Sequence, residues 1–204
     1  MNTLQSRTYL TQGFEYTCPL LLSAEHQSNP FLEIESFFDG ASLGYYQSEL
    51  RSWFKIALTE DMEVNDHSGM LYFHNQLIQL FQAGYLIVKK KAKVASINHS
   101  TVSLKNRIND LRKHKIDEGT GKAGHYEIHL LSEDEIENPF FYLKEILNLP
   151  RIAEMREGLQ EWIYCSFNGK SSIATMDAAY VFSLFDDAGK VLELLFILIA
   201  GNEN

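Results

Sequence analysis

Residues 21–54, LLSAEHQSNPFLEIESFFDGASLGYYQSELRSWF, and residues 130–163, LLSEDEIENPFFYLKEILNLPRIAEMREGLQEWI, align without a gap at an offset of 109. Leu21-Leu22-Ser23 falls on Leu130-Leu131-Ser132, and Asn29-Pro30-Phe31 on Asn138-Pro139-Phe140. Leu50 and Trp53 fall on Leu159 and Trp162, the only two tryptophans of the chain, and two of its four prolines are matched as well. The pattern predicts one helical unit built twice, with something different between the copies.

Within each copy the helix signals are local. Asn29 and Asn138 are suited to N-cap positions, and Pro30 and Pro139 to the first helical residue, where a missing N–H costs nothing. Upstream, Ser132-x-x-Glu135 has the form of a capping box and predicts a preliminary helical turn, with Ser23-x-x-His26 as its degraded copy. The second helix is predicted to start near Ser42. Leu43, Tyr46, Leu50, Trp53 and Ala57 recur at spacings of three and four, one face of an α-helix, and Ile152, Met155, Leu159, Trp162 and Ser166 stand at the matched positions. Tryptophans in such a stripe belong to the core.

The third helix is expected from about 68 to 88 in the first copy, apolar around most of its circumference. In the second copy Thr175 or Asp177 caps a helix through Phe185, and Asp186-Asp187-Ala188-Gly189 is expected to kink or break it. Leu80-Phe81-Gln82 matches Val191-Leu192-Glu193 when the offset shifts to 111. Helices apolar on nearly every side are buried, so these two belong at the centre.

The expected fold is therefore mainly α: a helical bundle of two pseudo-symmetric three-helix units, 21–88 and 130–199, with a small β element in the central insert 89–129. Each unit alone would be marginal, whereas packing the two about a pseudo-twofold axis covers both apolar faces. Residues 1–204 are accordingly expected to form one compact domain.

Composition agrees with a globular chain: 204 residues, 45% hydrophobic and 22% charged, with a net charge of −9. That balance argues against an all-over nucleic-acid-binding surface. Cys18 and Cys165 are too few for a disulfide framework, and reduced thiols of a cytoplasmic protein are the expectation. The N-terminus lacks the apolar stretch of a signal peptide. Val191–Ala200 is interrupted by Glu193 and falls far short of the roughly 20 residues of a membrane-spanning helix, so no membrane partner is expected.

The charge is unevenly placed. Lys89, Lys90, Lys91, Lys93, Lys105, Arg107, Arg112, Lys113 and Lys115 are nine of the eighteen basic residues, opposed in that stretch only by Asp110; residues 89–115 carry +8 and the rest of the chain −17. Such asymmetry points to a polyanionic partner, nucleic acid or acidic protein. Cations at helix C-termini also complement the helix dipole without any ligand. From Ser103 to His114 the spacing predicts a helix on Leu104, Ile108 and Leu111. A glycine-rich loop, 118–124, and a strand over Tyr126–Leu131 follow it. This order is similar in shape to the recognition helix and wing of a winged helix-turn-helix domain, although Val94–Thr101 makes a poor preceding helix.

Three further patterns bear on chemistry. Gly119-Thr-Gly121-Lys122 lacks the spacing and the Ser/Thr of a phosphate loop. Arg107 and His114 have the Arg-x6-His spacing seen in ribonucleases of the HEPN type, but seven helical residues separate their Cα atoms by ~10.5 Å. His125, Glu127 and His129 would share one face of a strand and could ligate a divalent metal, while the polar face of a half-buried strand gives the same alternation. The leading reading is non-enzymatic and needs no cofactor: a cytoplasmic binding or scaffold protein that contacts an acidic partner through the insert, with a homo-oligomer also compatible. The alternative is a small hydrolase or nuclease that uses Arg107 and His114, or a metal at His125, Glu127 and His129.

Overall fold

The computed structural model describes residues 20–60, 66–91 and 128–200. Among these the structure is helical, without strand. The first group comprises α1 (Ala24–Ser28), α2 (Phe31–Gly40), α3 (Leu43–Leu58) and α4 (His67–Lys91). The second comprises α5 (Glu133–Glu137), α6 (Pro139–Ile146), α7 (Leu149–Phe167), a 3-10 turn (Ser172–Ala174) and α8 (Ala178–Ala200).

The caps explain where these helices begin. Ser132 and Glu135 form the full reciprocal box: Ser132 Oγ accepts from the Glu135 N–H, and Glu135 Oε2 accepts from the Ser132 N–H at 2.7 Å. Ser23 Oγ accepts from the His26 N–H, but the imidazole does not reciprocate and instead meets Glu33 Oε2 at 2.6 Å. Ser42, Asn148 and Asp177 cap α3, α7 and α8 with their side chains.

Asn138 stands at the N-cap of α6 with Pro139 at its first turn, as expected, whereas α2 takes Pro30 itself as its N-cap residue. Neither Asn29 nor Asn138 makes a side-chain cap to the helix that follows. Each closes the short helix before it, its N–H donating to Glu25 O or Asp134 O, while its carbonyl accepts the first bond of the next helix. The proline that follows lacks the N–H a continuing helix needs, so the chain bends there.

All ten residues of the two predicted stripes are buried, from Leu43 through Ala57 on α3 and from Ile152 through Ser166 on α7. Trp53 and Trp162 meet edge to face, their ring centroids 5.6 Å apart, where α3 and α7 pack together. The two long helices cover these stripes crosswise, α8 packing on α3 and α4 on α7. One continuous buried cluster extends from Leu22 to Leu198. At ~25 cal/mol per Å2, each large side chain in it contributes about 2 kcal/mol.

Two expectations need correction. Asp186–Gly189 neither kinks nor breaks α8, which runs unbroken to Ala200. The carboxylates that suggested a break are paired: Asp187 with Arg151 of α7, and Asp186 with Lys190 one turn on in α8 at 3.8 Å, Lys190 also reaching Glu135 at 3.0 Å. The strand expected over Tyr126–Leu131 is also absent from its described part, Ile128–Leu131, where a buried side chain rather than a neighbouring strand takes the amides. Cys165 is fully buried, as its place beside the stripe implies. No described helix is long and apolar enough to cross a membrane.

Candidate functional site

The basic segment joins the helical body at two places, and each junction is built from specific contacts. At its start Lys89 and Lys90 end α4. Lys89 Nζ lies 5.6 Å from the centre of the Tyr85 ring. Lys90 Nζ donates to the carbonyls of Gln27 and Ser28 at 2.8 and 2.6 Å, and so ties the end of α4 to the end of α1. Lys90 thus has a structural role, and its charge faces the negative end of α1.

At the other junction the anchor is Glu193, in the middle of the most apolar helix and with none of its surface exposed. Its carboxylate accepts from the backbone N–H groups of His129 (3.2 Å), Leu130 (3.0 Å) and Leu131 (3.3 Å) and from Gln47 Nε2 (2.8 Å). His129 Nδ1 lies 3.4 Å away. Burial pushes the Glu193 carboxyl above the usual range, opposed in part by these amides and by His129. One turn earlier, a Cβ at Gly189 would lie 2.5 Å from Leu130 Cδ1, so glycine there lets the returning chain settle against α8.

The junction at the aligned Leu21-Leu22-Ser23 segment is similar. Gln82, which corresponds to Glu193 in the sequence alignment, accepts from the Leu21 N–H at 2.7 Å, and Leu21 corresponds to Leu130. A polar residue at one point of each long apolar helix therefore receives the backbone amide of the incoming Leu-Leu-Ser segment.

Of the residues proposed from sequence, Lys89 and Lys90 stand at the exposed end of α4, and Lys91 is its last residue. Lys93, Lys105, Arg107, Arg112, Lys113, His114 and Lys115, and with them the Arg107–His114 pair, lie outside the described residues. His125 and Glu127 also lie outside; His129 is placed, beside Glu193. No group of three metal-ligating side chains occurs among the described residues. Glu193 itself read from sequence only as an interruption of an apolar run. The available signal was its match to Gln82: two polar residues at one place in two helices that are otherwise apolar.

Comparison with protein-family models, with curated proteins and with solved structures finds no match.

Proposed function

We propose that the protein is a cytoplasmic binding protein in which a helical body carries a basic segment to a polyanionic partner, nucleic acid or acidic protein. The observation that supports this most is the separation of charge, +8 within residues 89–115 against −17 elsewhere. A polyanion is drawn to the segment and repelled by the body, which fixes how it approaches. The built junctions support the same reading. Lys90 holds the outgoing end, and Glu193 with Gly189 holds the returning end.

We further infer that the body is a duplicated unit arranged about a pseudo-twofold axis, forming one domain with the insert. Support comes from the repeated order of a short capped helix, two packed helices and a long helix. The crosswise covering of α3 and α7 and the contact between Trp53 and Trp162 agree with it. On this reading the duplicated part is scaffold, and specificity belongs to residues 89–129.

The test is a mobility-shift assay with DNA and RNA at two salt concentrations. It uses the intact chain and a variant with Lys93, Lys105, Arg107, Arg112, Lys113 and Lys115 changed to glutamine, leaving Lys90 in place. Binding that weakens with salt and is lost in the variant is the expected result. Salt-insensitive binding, or binding equal in the two proteins, overturns the proposal.

A further inference from the structure

The body has an open cleft of about 820 Å3 between α3 and the first turns of α4. Its walls are aromatic: Tyr45, Tyr46, Trp53, Tyr72 and Phe73. Tyr46 and Phe73 are nearly parallel, 6.1 Å apart, and Tyr45 and Trp53 meet this pair edge-on at 5.6 and 6.2 Å. Tyr45 is 52% exposed and Tyr72 66%, so two large rings face solvent on one cleft. Among the described residues the charged lining is Glu49 and Asp66, with no lysine, arginine or histidine. Asp66 spends one oxygen on the Gly69 N–H. Glu49 is half-buried and has no hydrogen-bond or ion-pair partner among the described residues. Trp53 is 98% buried and forms part of the cleft floor.

The fold does not force this opening. At an offset of 109, Glu49 corresponds to Gly158. A Cβ at Gly158 would lie 2.5 Å from Leu184 Cδ2 and 2.9 Å from Tyr180 Oη, so the glycine brings α8 down onto α7. Tyr180 Oη then donates to Glu154 O at 2.7 Å and closes the gap. In the first copy a glutamate stands where that glycine would be, and the helices stay apart.

We infer that this cleft binds an organic ammonium ion. Aromatic faces attract a desolvated cation through their quadrupoles, and two carboxylates, with no cation beside them among the described lining residues, add a field of the same sign. A hydrated metal ion would not use the rings, and an anion would meet Glu49 and Asp66. The ammonium can come from a free small molecule or from a methylated lysine of a peptide, which share the same chemistry.

Calorimetric titration of the full chain tests this, with choline, its neutral isostere 3,3-dimethylbutan-1-ol, and a short peptide containing trimethyllysine. Choline or the peptide is expected to bind, the better of the two identifying the source, and the neutral isostere about tenfold or more weakly. Glu49→Gln and Tyr72→Ala should each weaken binding by about threefold to thirtyfold, and Tyr72→Phe should restore it. Both alter partly or largely exposed side chains, and circular dichroism confirms their folding. If Tyr72→Ala unfolds, Glu49→Gln and the neutral isostere still decide. The inference is overturned if neither cation binds at about 10 mM, if the isostere binds equally well, or if Glu49→Gln leaves affinity unchanged.

Discussion

Replacing Glu193 by alanine removes the acceptor for four donors at once: the N–H groups of His129, Leu130 and Leu131, and Gln47 Nε2. A buried donor left without a partner costs about 1–3 kcal/mol. The backbone at half-exposed Leu130 can turn toward water, whereas Gln47 and Leu131 are held inside. With two such buried donors losing this acceptor, the expected loss is ~3–5 kcal/mol. Glu193→Gln keeps the shape and one acceptor, as Gln82 does with Leu21, and should cost about 1–2 kcal/mol. The pH dependence follows from the raised carboxyl. A carboxyl whose folded pKa exceeds its unfolded value of ~4.3 holds a proton longer when folded. Its stabilising contribution is whole below the unfolded pKa and declines as pH rises through the folded one. Glutamine has no such decline, so the cost of Glu193→Gln should shrink as pH rises. Urea unfolding followed by tryptophan fluorescence, from mildly acidic to mildly alkaline pH, measures both effects. A cost for Glu193→Ala below about 1 kcal/mol, or a Glu193→Gln cost that grows with pH, refutes the reasoning.

Other perturbations test the packing. Trp162→Ala should cost about 3–5 kcal/mol in the same unfolding assay, because its ring is wholly buried against Trp53 and Phe54. Gly158→Ala sets the new methyl against Leu184 and Tyr180; overpacking of about 1–3 kcal/mol should exceed the ~1 kcal/mol gain in helix propensity, lowering the urea midpoint. Ser132→Ala should cost about 1 kcal/mol and more than Ser23→Ala, since only Ser132 sits in a reciprocal box. The Tyr180 hydroxyl, pushed up to about 12 mainly by burial, should be absent from the ordinary tyrosine titration near pH 10, and ultraviolet absorbance of Tyr180→Phe should show no loss in that range.

Much of the helical layout was legible because its causes are local. Ser23, Ser42, Ser132 and Asp177 cap within three residues of themselves, and the two stripes repeat at the helical period, so their ten members could be read directly. The errors came where a residue answers to something distant. Asp187 helps suggest a helix break until Arg151 of α7 is placed beside it. Ile128–Leu131 alternates like a strand, yet its amides are taken by Glu193, more than sixty residues away. The cleft was not legible at all. Periodicity gives the buried face of a helix and says nothing of its distance from the next one.

The central claim is that residues 89–115 hold a polyanion while the acidic body does not. Fluorescence anisotropy with labelled RNA, duplex DNA and polyglutamate over a range of salt concentrations tests it most directly. The account predicts that at least one of them binds, with log K falling linearly in log salt by about 0.7–0.9 per nucleic-acid phosphate contacted. The slope should flatten when Lys93, Lys105, Arg107, Arg112, Lys113 and Lys115 are neutralised. Failure of all three to bind at low salt, or a slope unchanged by that neutralisation, contradicts it.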